Sequence, residues 1–353
     1  MALEVQLKRL MEAREPLDRA EAHFVMGQIL TGAPSEIEVA ALLGALAARG
    51  ETASEIAGFA EAMRGEALSL PLSPEERATL VDTCGTGGDS SGTFNISTAA
   101  ALVAAAAGAT VAKHGNRAVT SKSGSADVLE ALGVPIDLSP QAAADSLRRY
   151  HFAFLHAPAL HPTMRAVMPV RRALGVRTLF NIVGPLTNPA AAARQVMGVF
   201  APHLVPIVAE AMAMLGTIRA LVVYGEASAI DLHQPDLGPV FGIDELSISG
   251  RSHVAEVRHG TITHWTLTPE DLGLRRAPLD DLRGGSAEQN ATILQAIFSG
   301  RPGANRDVVL LNAAAVLLTA EVVPDLPAGL RRAADAIDSG AVSHLIASLA
   351  QPS

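Results

Sequence analysis

Lys113-His114-Gly115-Asn116-Arg117 brings two cations and an amide to a segment one helix and one strand beyond Gly85-Thr86-Gly87-Gly88-Asp89. Successive backbone N–H groups of a Gly-rich loop can converge on one point and form an anion nest. The N-terminus of a following helix adds partial positive charge, and Lys113 and Arg117 add full charges. Either segment alone is more often a plain turn or a solvated basic loop. Together, at this spacing, they favour a phosphorylated ligand. A dinucleotide fingerprint needs glycine three residues after Gly87, where Ser90 stands, and an acidic residue closing the next strand. The phosphate loop of nucleoside triphosphatases needs Gly-Lys-Ser/Thr at its end, where Asp89 follows Gly88. A carboxylate ending an anion nest repels phosphate unless it faces hydroxyls or a hydrated cation. A sugar phosphate with free hydroxyls therefore fits better than a nucleoside triphosphate.

Each of these residues needs an element to hold it. Leu80-Val81 reads as a strand before the first loop. Asn95 is the expected cap of an alanine-rich helix over residues 96–107, stopped by Gly108, and Thr110-Val111-Ala112 reads as the next strand. In such a unit both loops leave the carboxyl ends of neighbouring parallel strands, the edge where open α/β sheets bind ligands. Further on, Ser125 is expected to cap a helix through Leu129 and Leu132, ended by Gly133, and Ser139-Pro140 opens another. Residues 152–155, 196–200 and 220–224 read as strands, and 203–215 and 163–173 as helical. The alternation implies an α/β fold with a mainly parallel central sheet flanked by helices. Residues 1–70 read as helices only. Leu7, Leu10 and Met11 share one face, and Ser35 precedes the apolar run Ile37, Val39, Leu42, Leu43 and Leu46. Thr52 and Glu55 form a capping-box pattern, and Pro71 and Pro74 mark a boundary.

Bulk composition narrows the class. A chain of 353 residues allows one large or two modest domains. The net charge of −9 and the lack of a Lys/Arg run argue against a nucleic-acid partner. One cysteine, Cys84, leaves no intramolecular disulfide and suits a reducing cytoplasm. The charged first residues do not resemble a signal peptide, and the most apolar stretch, residues 99–112, is shorter than the roughly 20 residues of a membrane span. A cytoplasmic location with no membrane partner is the expectation.

Residues 82–89 and 94–98, Lys113 through Arg117, and residues 121–127 together resemble the anthranilate phosphoribosyltransferase family. Further matches are His161-Pro162-Thr163-Met164-Arg165, Arg177-Thr178-Leu179-Phe180-Asn181, Gly184-Pro185-Leu186-Thr187-Asn188-Pro189 and the acidic pair Asp244-Glu245. The resemblance covers nearly the whole chain. It implies a nucleoside phosphorylase/phosphoribosyltransferase-like fold. A helical domain would comprise residues 1–70 joined by about 163–188, and an α/β domain residues 71–162 and 189–353. The family joins the anthranilate nitrogen to C1 of 5-phosphoribosyl 1-pyrophosphate and expels pyrophosphate, a step of tryptophan biosynthesis. An aniline-like nitrogen is largely unprotonated near neutrality and needs no strong base. The matched motifs accordingly hold no nucleophile–base constellation, leaving electrostatics and positioning, with Lys113 as the electrostatic group.

The resemblance implies that Gly85, Gly88, Asp89, Thr93, Asn95, Ile96, Ser97 and Thr98 line the phosphoribosyl pyrophosphate site. Lys113, His114, Gly115, Asn116, Arg117, Ala118, Val119, Thr120, Ser121 and Ser125 would continue it. For anthranilate the implied contacts are Gly85, Asn116 and Arg171, whose guanidinium matches a carboxylate bidentately, with His114 ranked second. Ser97, Asp244 and Glu245 are the implied metal ligands. Magnesium keeps several waters and needs only one or two carboxylates besides phosphate oxygens. Adjacent side chains on an extended segment diverge, which favours two ions. The apolar faces of the N-terminal helices, with the resemblance, imply a homodimer through the helical domain. A pyrimidine nucleoside phosphorylase shares the implied fold but differs from Lys-His-Gly-Asn-Arg in its phosphate loop. A nucleic-acid-binding relative on the same scaffold would need a basic groove. Residues 226–240 interrupt the family pattern before the acidic pair. Asp231, His233 and Asp236 within them are expected on a solvated surface loop that acts on access rather than chemistry.

Overall fold

The computed structural model describes residues 3–118, 122–227 and 242–351. The interrupting stretch beyond Ala227, with Asp231, His233 and Asp236, and the loop residues Val119, Thr120 and Ser121 lie outside the described residues. The chain begins with helices α1 (Glu4–Lys8), α2 (Arg19–Leu30), α3 (Glu36–Arg49), α4 (Ala53–Gly65) and α5 (Pro74–Thr79). Then come β1 (Leu80–Gly85), α6 (Ile96–Ala106), β2 (Thr110–Gly115), α7 (Ser125–Ala131), α8 (Pro140–Tyr150) and β3 (Phe152–His156). α9 (Ala157–Leu160), α10 (Met168–Leu174) and α11 (Leu179–Val183) lead to β4 (Arg194–Gly198), α12 (Leu204–Met214) and β5 (Arg219–Glu226). β6 (Gly242–Ile243), β7 (Ser252–Arg258) and β8 (Thr261–Leu267) precede α13 (Ala287–Phe298), α14 (Ala304–Thr319), α15 (Leu326–Asp338) and α16 (Ala341–Leu349).

The N-terminal helices start where polar side chains take up their free N–H groups. Asp18 with Glu21, Ser35 with Glu38, and Thr52 with Glu55 each make a reciprocal capping box. Glu55 is fully buried, and accepts from Leu17 N–H at 3.0 Å while pairing with Arg49. One helix face goes inward: Val39, Leu42, Leu43 and Leu46 on α3, and Ile56, Phe59 and Met63 on α4. Two expected members of these faces do not. Ile37 is 82% exposed, and Met11 is 59% exposed although Leu10 is 4%. Residues Arg9–Ala13 wind as a π-turn, which takes Met11 off the face shared by Leu7 and Leu10.

The sheet runs β3-β2-β1-β4-β5-β7-β8, with β6 also on β5. The first five strands are parallel, and β6, β7 and β8 add antiparallel pairs, so the sheet is mainly parallel as expected. Consecutive strands travel outward from β1 to β3 and then return to β4 on its other side. β1 and β4 therefore form the switch point of the sheet, the crevice where such sheets bind ligands. One core holds α6 and α14, whose facing alanines (Ala99 to Ala101, Ala313 to Ala315) allow close helix approach. A second holds the N-terminal helices, Val170, Leu179, Phe180, Ile182 and Val183 of α10 and α11, and α12, and a smaller third gathers Leu70, Leu80, Leu147 and Leu155. The segment around residues 163–188 thus packs with the N-terminal helices, against α3 and α4.

Candidate functional site at the switch point of the sheet

β1 ends in glycine because something must come close. A Cβ on Gly85 would collide with the Asp244 carboxylate, and one on Gly198, its neighbour on β4, with the Asp244 carbonyl. The loop then turns through Gly87 (φ 67°) and Gly88 (φ 75°), left-handed positions that suit glycine. Ser90 (φ 60°) is left-handed too, at the place a dinucleotide fingerprint would give to glycine. Gly87 N–H donates to Asp244 Oδ2 at 2.6 Å. Asp89 turns back on the loop: it accepts from Ser91 N–H at 3.1 Å and Ser91 Oγ at 2.9 Å, and from Asp244 N–H at 3.2 Å.

The acidic pair sits just past β6, in a bend rather than the extended segment expected from sequence. Its side chains still part: Asp244 goes to the Gly-rich loop, while Glu245 Oε1 accepts the Ser97 N–H at 3.0 Å at the start of α6. Asn312 on α14 fixes the bend by exchanging two hydrogen bonds with the Leu246 backbone, each 3.0 Å. Burial, then the neighbouring charges of Asp89 and Glu245, hold the Asp244 carboxyl well above the usual range. Burial likewise pushes Glu245 up to about 7, against the pull of Lys113 and the Ser97 N–H. Lys113 is 2% exposed, and its Nζ donates to Thr83 O at 2.6 Å and lies 3.5 Å from Ser97 Oγ. Lys113 faces Glu245, while Asp244 is crowded by both Asp89 and Glu245. All the nearby donors are oxygens, which suits a hard divalent cation that keeps water. Among the described residues no three His, Cys, Asp or Glu side chains converge to hold an ion alone. That fits magnesium, which takes few protein ligands and completes its shell with water and phosphate oxygens.

Several local expectations change here. Lys113 and His114 lie in β2, not in a loop, and both are buried. Asn95 precedes α6 but its side chain caps nothing; its amide donates to Ser123 O at 3.2 Å and its Oδ1 accepts from Asn290 at 2.9 Å. Glu245 takes the capping place. Ser125 is the first residue of α7 rather than its cap: its hydroxyl donates to Asn116 O at 3.2 Å, and Asp127 accepts from Gly124 and Ala118 N–H. Arg117 turns away from the loop's centre to Asp127 and Glu130. Thr93 lies beside Ser91 Oγ and bridges to Arg283, with Ile96 and Thr98 buried in the first turn of α6. Gly115 ends β2, and Asn116 beyond it is exposed.

His114 is buried, with its N–H on Asp82 Oδ1 at 3.1 Å and its ring 5.2 Å from that of His161. Burial first, then the neighbouring His161 and Lys113, lower it to about 3, and burial lowers His161 to about 4, so both rings are neutral. Nε2 of each is buried without a partner among the described residues. Arg171, on the last turn of α10, is half-buried over the Phe180 ring at 5.2 Å and has no ion-pair partner among the described residues. Burial lowers its pKa. Arg172 beside it is exposed. Asp82, Asn312, Asn290 and Arg177 carried no role in the sequence reading. Two of them gave a signal that could have been used: Asp82, a carboxylate directly after Leu80-Val81 in the strand, and Arg177, which stands in a motif matching the family.

Two family models match the chain, one described as a glycosyl transferase family helical bundle domain over residues 6–67. The other is described as a glycosyl transferase family α/β domain and covers residues 77–343. The anthranilate phosphoribosyltransferase of Brevibacillus brevis is 50% identical over 326 residues, 92% of this chain and 91% of that protein. The crystal structure of the Thermus thermophilus anthranilate phosphoribosyltransferase superposes with a TM-score of 0.86 at 43% identity, covering 98% of each chain. The Saccharomyces cerevisiae anthranilate phosphoribosyltransferase in complex with PRPP and Mg gives 0.82 at 26% identity, covering 99% of this chain and 98% of that one. The chain belongs to the anthranilate phosphoribosyltransferase family.

Proposed function

We propose that this protein transfers the phosphoribosyl group of 5-phosphoribosyl 1-pyrophosphate to anthranilate in tryptophan biosynthesis. The observation that carries the reading is the charge arrangement at the switch point. A glycine nest, a buried lysine and a diverging carboxylate pair sit on one strand edge, and α10 carries a guanidinium with no ion-pair partner among the described residues. The anthranilate nitrogen gives its electron pair to C1 of the sugar, the C1–O bond to pyrophosphate breaks with its electrons on the leaving oxygen, and the nitrogen then sheds a proton to water. Gly85, Gly88, Asp89, Thr93, Asn95 to Thr98, the segment Lys113 to Ser121 and Ser125 hold the phosphoribosyl pyrophosphate. Lys113 supplies positive charge from the floor. Arg171, with Asn116, Gly85 and the neutral His114 ring, orients anthranilate. Asp244, Glu245 and Ser97 would hold magnesium, taken here as two ions, which would neutralise pyrophosphate charge when bound.

The remaining readings rest on other observations. Residues 1–70 with 163–188 act as the helical domain, and 71–162 with 189–353 as the α/β domain. The exposed Val5, Met11, Phe24 and Ile37 of the N-terminal helices support a homodimer formed through them. No helix among the described residues is long and apolar enough to cross a membrane, and the acidic balance fits a cytoplasmic enzyme acting on small molecules. The test is loss of anthranilate fluorescence on mixing purified protein with phosphoribosyl pyrophosphate. Turnover that requires magnesium is expected; no turnover at any magnesium concentration would overturn the reading. Sedimentation at micromolar concentration tests the dimer.

A further inference from the structure

The junction between α10 and α11 carries a cation that the reading above leaves without a task. α10 ends at Gly175 (φ 62°), whose N–H donates to Arg171 O at 3.2 Å. Two residues later Arg177 leaves the helical segment and reaches across to the phosphate loop. Its Nη1 donates to Gly88 O at 2.6 Å, and its guanidinium lies over the Phe200 ring at 4.7 Å. Its stem passes close by as well, since a Cβ on Gly88 would stand 3.1 Å from Arg177 Cδ. Phe200 belongs to the same frame: its N–H donates to Thr86 Oγ1 at 3.0 Å, and Thr86 N–H donates to Gly198 O at 3.0 Å.

A loop with two successive left-handed glycines has much backbone freedom to lose on binding an anion. A charge-assisted hydrogen bond from outside, with its donor stacked on a ring, removes part of that freedom in advance. The same side chain is bonded through a short, continuous backbone to Arg171. That backbone is the route by which a shift of the Gly-rich loop would reach the guanidinium assigned to anthranilate.

We propose that Arg177 is a positioning residue that ties the phosphate loop to the helix carrying Arg171, so that filling either subsite favours filling the other. The inference rests on the assignment of the loop to phosphoribosyl pyrophosphate and of Arg171 to anthranilate. Coupling of this kind is reciprocal, which gives two readouts for one contact. Lysine can donate to Gly88 O but cannot present a planar, stacked guanidinium to Phe200.

The experiment measures anthranilate affinity by fluorescence, with and without magnesium pyrophosphate, in the full-length protein, Arg177→Ala, Arg177→Lys and Phe200→Leu. Magnesium pyrophosphate should tighten anthranilate binding about fivefold in the unaltered protein, as a hydrogen bond of about 1 kcal/mol allows. Arg177→Ala should abolish that effect and raise KM for both substrates at an unchanged melting temperature. Arg177→Lys and Phe200→Leu should each keep part of the coupling. No coupling in the unaltered protein, full coupling in Arg177→Ala, or complete rescue by Arg177→Lys would overturn the proposal. The coupling is read without turnover, so an inactive wild-type protein overturns the assigned reaction while the tie itself is still decided by binding.

Discussion

The two sides of β1 are built differently. Toward β4 the backbone ladder runs the whole way, from Val81 opposite Arg194 to Gly85 opposite Gly198. Toward β2 it stops after Leu80 opposite Thr110 and Val81 opposite Val111, although β2 continues alongside β3 as far as Gly115. Beyond Val81 the gap on this side is bridged by side chains: Lys113 Nζ donates to Thr83 O, and Asp82 accepts the His114 N–H. The β4 side is thus a backbone seam that holds Asp244 against two glycines. The β2 side is a fork held by charge in a poorly hydrated interior, where burial pushes Asp82 up to about 6. A sterically fixed seam breaks when something is added to it; a charged fork breaks when something is removed.

The largest effect is expected on the seam. Asp244→Ala should lower magnesium-dependent kcat/KM by about 100- to 1000-fold, the range for losing one transition-state charge stabiliser. Gly85→Ala, which adds one methyl group against the same carboxylate, should approach that loss in a folded protein. Steady-state kinetics across a magnesium series measures both, and an active Gly85→Ala would show that the close approach is dispensable.

Next come the charges. Lys113→Met leaves Thr83 O without its donor and removes the floor cation, and a charge-assisted contact of about 1.5–3 kcal/mol corresponds to roughly 10- to 150-fold. Its loss should fall on phosphoribosyl pyrophosphate. Arg171→Ala, on neither side of β1, should lose a similar factor on anthranilate alone. Titrating each substrate separately distinguishes the two, and matching KM profiles would dissolve the distinction.

Asp82→Asn sharpens the account of the fork. The amide oxygen can still accept the His114 N–H, so only the charge beside Lys113 is lost, and about a fivefold fall in kcat/KM is expected. A loss as large as that of Lys113→Met would mean that the Asp82 charge holds the fork as strongly as the Lys113 charge does.

The smallest effect concerns stability. His161 has its pKa lowered from 6.5 to about 4 by burial, so the folded protein keeps the ring neutral while the unfolded chain protonates it. Its contribution is fully present above pH 6.5 and is lost as pH falls toward 4. Chemical denaturation of His161→Gln from pH 7 to pH 5 should therefore show a shallower decline than the unaltered protein.

The helix starts that sequence made legible are those whose partners lie within one turn. Ser35 before its apolar run, Thr52 with Glu55, and Ser139 before Pro140 all start helices as the sequence implies. The starts that misled are at the site. Asn95 and Ser125 have the right chemistry to cap, yet Glu245 satisfies the Ser97 N–H across a separation of 148 residues, and Asp127 satisfies Gly124. Arg117 pairs with Asp127 and Glu130, partners that only face it once α7 has folded. Met11 and Ile37 fit an apolar stripe by period but not by burial.

By itself the sequence determined what local rules control: the alternation that makes a mainly parallel sheet, the boxed helix starts, the glycine positions, and motifs specific enough to imply the family. Tertiary structure alone decided which carboxylates crowd together, since Asp244 meets Gly87 across 157 residues. It also decided that Lys113 is buried in a strand, and that Arg177 reaches the phosphate loop. Backbone propensity and hydrophobic period act over a few neighbouring residues. Charge crowding and desolvation depend on distance in space, which exists only once the β1–β4 seam and the β1–β2 fork have formed.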